Sequence, residues 1–150
     1  MLEYLIYWIK PEFSSHYFYR SGIMYRFFQE YESSYNDYLQ LQFDFVTRRF
    51  PIQDVIWLLQ KEFPQFQWQR DGSLMRGTFR GKQLSMYASS RRLYVSTEDY
   101  QLADQVLFQT LKKYDSSFFV IEKHTSNYGW VAPIKQRKLA LSTQLLYSLL

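Results

Sequence analysis

The residues that could do chemistry are few. His16 lies between Ser15 and Tyr17, the only grouping that looks like a nucleophile beside a base. Adjacent residues on a helix point in different directions, so Ser15 and His16 cannot form a dyad there, and a structural or interface role for His16 is the expectation. The carboxylates Glu30, Glu32, Asp37, Asp44 and Asp54 are scattered without the paired spacing that acid–base catalysis needs. No G-x-S-x-G, H-E-x-x-H or phosphate-cradling glycine loop occurs. The chain has no cysteine and two histidines, His16 and His124, so thiol nucleophiles are excluded and transition-metal ligation is disfavoured. No catalytic constellation and no metal site is the expectation from these residues, with a small enzyme lacking a recognisable motif as a remote alternative.

Two clusters could bind rather than react. Between Arg70 and Arg92 stand six bases, Arg70, Arg76, Arg80, Lys82, Arg91 and Arg92, against Asp71, with Met75, Phe79 and Tyr87 interleaved. Basic side chains among aromatics can track a nucleic-acid backbone, so a nucleic-acid-binding hairpin is one reading. The competing reading is a solvated strand face whose charges block aggregation, and no known nucleic-acid motif accompanies the stretch. The second cluster is aromatic. Phe13 and Tyr17 stand four apart, and Arg20 follows one turn later, so all three share a face if the helix runs that far. Exposed aromatics beside an arginine have the composition of a binding hot spot, but Phe13 and Tyr17 could equally belong to the core.

The elements that must carry these residues follow from periodicity. The chain has 150 residues, 47% hydrophobic and 21% aromatic, with a net charge of +4. That is one domain's length, enough to bury a core without staples. Glu3–Ile9 reads as a buried strand. Pro11 opens a helix expected from Glu12 to about Arg20. A second helix is expected from about Ile23 to Glu32, with Met24, Phe27, Phe28 and Tyr31 on one face. After the polar residues Ser33–Asp37, Leu41–Val46 alternates and is expected as a strand. Pro51 opens a helix with Ile52, Val55, Ile56, Leu59 and Phe63 on its stripe, and Pro64 ends it. Short strands follow from Phe66 to Ser96, with turns at Asp71-Gly72 and Gly81-Lys82. Ser96 and Asp99 resemble a capping box for a helix reaching Tyr114. Ser117–Glu122 reads as another strand, with Trp130-Val131 extending or pairing with the sheet. The fold class expected is α+β: a mostly antiparallel sheet of five to six strands with three to four helices, in one domain over residues 1–138. Residues 139–150 form an apolar tail that could be a short helix. No run is apolar and long enough to span a membrane, and the N-terminus lacks the features of a signal peptide.

Two segments carry a family resemblance. IKPEFSSHYFYR (residues 9–20), continuing to Met24 and FQEY (residues 28–31), resembles the N-terminal motif of the SirA family, the sporulation inhibitors of replication of endospore-forming bacteria. YGWVAPIKQR (residues 128–137) is similar to that family's C-terminal motif, in the same order and at the same distance. The resemblance implies a non-enzymatic, cytoplasmic protein without a cofactor. It implies binding to the N-terminal domain of DnaA, the bacterial replication initiator, at the onset of sporulation. It places Phe13 and Tyr17 on the contact surface and matches a contributing glutamine to Gln42. Arg20 is added from helix geometry. The C-terminal motif reads as a structural strand end and turn packed under the N-terminal elements.

Overall fold

The structure is a computed structural model that describes residues 1–34 and 36–131. The tail expected over 139–150, and the last part of the C-terminal motif, lie outside the described residues.

The centre of the sheet is β1 (Leu2–Ile9), whose β-branched and aromatic side chains are buried on both faces. It pairs antiparallel with β6 (Leu93–Thr97) on one side and β7 (Phe118–Glu122) on the other. Where β6 runs out, the two-residue β2 (Thr47–Arg48) takes its place against Trp8 and Ile9. The sheet extends outward through β5 (Lys82–Ala88), β4 (Leu74–Phe79) and β3 (Gln67–Asp71), and on the far side through β8 (Tyr128–Trp130). Eight antiparallel strands thus stand among the described residues, rather than five or six. The additional ones are short, and β2 and β8 lack a period that a sequence window can register.

The alternation of β1 divides the core in two. Tyr4, Ile6 and Trp8 face α4 (Ile52–Glu62) and α5 (100–114). Leu5, Tyr7 and Ile9 face α1 (Pro11–Tyr17) and α2 (Ser21–Ser33), joined by Phe43 from α3 (Asp37–Val46). Among the described residues five helices therefore cover the sheet, one more than the expected range. Helix α5 has an α-helical turn, Tyr100–Leu102, a π-helical stretch, Ala103–Phe108, and an α-helical end, Gln109–Tyr114. Its cap is Asp99, whose carboxylate accepts the Gln101 N–H at 2.9 Å. Ser96 lies inside β6 instead of capping. The β4–β5 hairpin turns on Arg80-Gly81, both with positive φ (52° and 77°), the twist a two-residue hairpin needs.

The main correction concerns Leu41–Val46, which is helical. Asn36 Oδ1 accepts the N–H groups of Tyr38 and Leu39, which starts a helix at Asp37. Leu39 and Phe43, four apart, then bury one face. The apparent alternation arose because Leu41 and Phe45 are also apolar but point to solvent. The first helix is also shorter than expected. It ends at Tyr17, and Arg20 has left helical geometry to become the N-cap of α2.

A candidate partner-binding site on the first and third helices

Pro11 supplies a preset φ where no backbone donor is needed, and Glu12 sits in the positive first turn of α1. The inner side of this helix is pinned by a small residue. Ser14 is buried, and its hydroxyl lies 2.9 Å from Ser117 Oγ, just before β7. With Ser14 inward, Phe13 and Tyr17 are half-buried: each packs one side against the second core cluster and leaves the other side open. The two readings of this pair, core or surface, are therefore both partly met.

The end of α1 rests on the C-terminal motif. Trp130 Nε1 donates to the Phe18 carbonyl at 3.1 Å, and the Phe18 and Trp130 rings lie parallel at 6.2 Å. Tyr128 stacks on Tyr25 of α2 at 4.2 Å. Tyr128–Trp130 thus packs under the N-terminal helices, as expected of the described part of that motif.

Arg20 is exposed at the corner between α1 and α2, its N–H donating to the Tyr17 carbonyl at 2.9 Å. It stays near Tyr17 through this turn, not through a shared helix face. Gln42 is half-buried on α3. Helical spacing sets it one turn from Phe45.

Three residues that periodicity missed complete the surface. Tyr38, Leu41 and Phe45 stand at i, i+3, i+7 on the outside of α3 and are 67%, 69% and 64% exposed. The Phe45 ring meets the Phe13 ring edge-on at 5.4 Å, and Lys10 Nζ lies 5.0 Å from the Phe45 centroid. An apolar strip therefore runs from α3 onto α1. The signal that could have found it was a helix apolar on two sides, with Leu39 and Phe43 inward and Tyr38, Leu41 and Phe45 outward. His16 is exposed and packs edge-on against Tyr17 at 4.6 Å.

The basic stretch is largely committed to the fold. Lys82 pairs with Asp99 at 2.6 Å, Arg91 with Asp44 at 3.4 Å and Arg92 with Glu32 at 3.3 Å. Arg70 donates to Gln53 Oε1 at 3.3 Å. Met75 is in the core and Phe79 stacks on Phe66, so of the interleaved residues only Tyr87 is exposed. A row of rings on which bases could stack is not formed. Among the described residues no helix is long and apolar enough to cross a membrane.

Comparison with known proteins agrees with this architecture of motifs. The model of the family "Sporulation inhibitor of replication protein SirA" matches residues 2–135, nearly the whole chain. The sporulation inhibitor of replication protein SirA of Bacillus subtilis (strain 168) is 26% identical over 143 residues, spanning 90% of this chain and 96% of that protein. The family match spans the N-terminal motif, the central β1, the helices that carry the exposed strip and residues 128–135 of the C-terminal motif. This chain belongs to the SirA family, a regulatory family named for the inhibition of replication during sporulation and not for any enzymatic activity.

Proposed function

We propose that this protein restrains chromosome replication by binding the N-terminal domain of the initiator DnaA, in the cytoplasm of a cell entering sporulation. Phe13 and Tyr17 of α1, Gln42 of α3 and Arg20 at the α1–α2 corner form the contact, together with Tyr38, Leu41 and Phe45. Binding occupies a surface of DnaA that other initiation factors use, with no catalytic step and no cofactor.

One observation carries this reading. Three large apolar side chains, each more than 60% exposed, line one side of α3, and one of them, Phe45, meets Phe13 of α1. Side chains of this size are expected at hot spots when a partner covers them. Gln42 and Arg20 flank the strip and supply hydrogen-bond donors that set register rather than bulk affinity. The competing nucleic-acid reading retains Arg70, Arg76 and Arg80, which have no acidic partner among the described residues, but Arg91 and Arg92, beside α3, pair with Asp44 and Glu32.

The test is a titration of the protein against the purified N-terminal domain of DnaA, wild type beside Tyr17→Ala. Saturable binding by the wild type, lost or weakened more than about tenfold in a folded mutant, supports the reading. A folded wild type that does not bind the domain, but binds duplex DNA with steep salt dependence, replaces it with the nucleic-acid reading.

A further inference from the structure

Helix α3 carries most of the exposed strip yet has little of its own to hold it in place. It buries Leu39 and Phe43 and shows Tyr38, Leu41 and Phe45 to solvent. An α-helix turns about 100° per residue, so a slip of one residue would carry Leu41 and Phe45 off the surface that Phe13 shares. Phe43, packed on Tyr7, Phe28 and Tyr31, anchors the inner side, and polar contacts at the helix end can add to it in fixing the rotation.

Two consecutive arginines in the turn between β5 and β6 add to that anchor. The turn itself is rigid. The Ser89 N–H donates to the Arg92 carbonyl at 3.0 Å, and the Phe50 N–H donates to the Ser90 carbonyl at 2.9 Å. From this base Arg91 reaches the C-terminal end of α3. Its Nη1 donates to the Thr47 carbonyl at 2.7 Å and the Asp44 carbonyl at 3.3 Å, and its Nε stands 3.4 Å from Asp44 Oδ1. These are the carbonyls a helix leaves without internal donors, at the negative end of its dipole. The Asp44 carboxylate is steadied by Gln40 Nε2 at 2.9 Å.

Arg92 grips the opposite flank. Its guanidinium lies 5.5, 5.8 and 5.7 Å from the ring centroids of Tyr31, Phe43 and Tyr94. It donates to the Tyr94 hydroxyl at 2.7 Å and pairs with Glu32 at 3.3 Å. Tyr31 in turn stacks on Phe43 at 3.9 Å and donates to Gln40 Oε1 at 2.8 Å. The inner residue of α3, the end of α2 and the edge of β6 thus close around one cation. A planar five-donor group suits this work, and lysine could not reproduce it.

We propose that Arg91 and Arg92 are positioning residues for the partner face: they clamp α3 to the sheet at the one rotation that presents Leu41 and Phe45 beside Phe13. The inference rests on the reading of that face as the DnaA-binding surface. It assigns the end of the basic stretch a role in protein recognition at second hand, with neither arginine touching the partner.

The test separates positioning from plain stability by coupling. The full-length wild type, Arg91→Gln, Phe45→Ala and the double variant are titrated against the N-terminal domain of DnaA. Tyr17→Ala is measured in both Arg91 backgrounds as a reference site on α1. Arg91→Gln should fold and weaken binding about tenfold. In that background Phe45→Ala should add less than about twofold, while Tyr17→Ala keeps its full effect. Amide exchange across residues 37–47 should quicken in Arg91→Gln. If Arg91→Gln does not fold, Arg91→Lys enters the same cycle, since it keeps the charge and loses the fork. Arg91→Gln that binds as wild type, or losses at Phe45 that multiply independently, overturns the clamp while leaving the partner surface standing. A wild type that does not bind at all overturns the surface itself, and the clamp's role with it.

Discussion

Replacing Phe45 with alanine separates a partner-binding face from a core face more sharply than any change on α1. The ring is 64% exposed and touches the protein through the Phe13 edge and the Lys10 ammonium. Removing those two contacts costs the fold about 1 kcal/mol, and alanine's helix propensity returns part of it. The midpoint of thermal unfolding should fall by no more than about 4 °C. Binding should suffer far more. A phenylalanine offers roughly 200 Å², so about 130 Å² of this ring remains to be covered by a partner. At about 25 cal/mol/Å² that is ~3 kcal/mol, an upper figure because association also orders side chains. The dissociation constant for the N-terminal domain of DnaA should therefore rise between about tenfold and a hundredfold, read by calorimetric titration with circular dichroism as the folding control. Binding within a factor of about two of wild type, by a protein that melts normally, would refute the inclusion of α3 in the surface. A collapse in melting temperature would instead mean that Phe45 supports the fold.

Three other changes test the architecture around the site. Gly77 lies opposite Trp68 in the β3–β4 ladder, and a Cβ there would stand 2.3 Å from the indole, whose Nε1 is held by the Phe63 carbonyl. Gly77→Ala should cost about 1–3 kcal/mol in chemical denaturation, and an unchanged midpoint would show that the ring moves freely. The Tyr4 hydroxyl is buried with no hydrogen-bond partner among the described residues, and desolvation holds its ionisation up at about 12. Tyr4→Phe should leave stability equal or higher by up to about 2 kcal/mol, and a clear loss would reveal a partner for that hydroxyl. Burial raises the Glu32 carboxyl above its ordinary value of 4.5, outweighing the lowering by Arg92. Above 4.5 the unfolded chain releases this proton while the folded protein still holds it, so this group's contribution is full below 4.5 and is lost as pH rises through the raised value. Glu32→Gln should flatten that decline in a melting series over mildly acidic pH; an identical profile would mean that another group sets it.

Much of the scaffold was legible because its signals are local. Pro11 starts α1 and the Ile52–Leu59 stripe buries α4 as spacing predicts. Both expected hairpins form, each with its turn displaced by one residue, at Gly72-Ser73 rather than Asp71-Gly72 and at Arg80-Gly81 rather than Gly81-Lys82. Helix α3 was not legible as a helix, since a two-sided apolar segment satisfies the strand period as well as the helical one. The choice was made by the Asn36 cap and by Phe43 stacking on Tyr31 and meeting Tyr7 edge-on, contacts that join α2, α3 and β1. The role of Arg91 and Arg92 was hidden for a related reason: charge along a chain says nothing of which carbonyls or rings lie across the turn.

What the chain determined by itself is its chemical class. Rich in aromatic side chains and bearing two long motifs, it could be read as a member of the SirA family before any fold was known. Those properties depend on residue identity and spacing alone. The tertiary structure decided which aromatics face out. Phe13 and Tyr17 are half-covered because Ser14 takes the inner position against Ser117, and Leu41 and Phe45 are exposed because Arg91 and Arg92 hold the helix that carries them. Exposure is a property of three-dimensional packing, fixed by contacts between residues far apart in the chain, and no window along the sequence contains it.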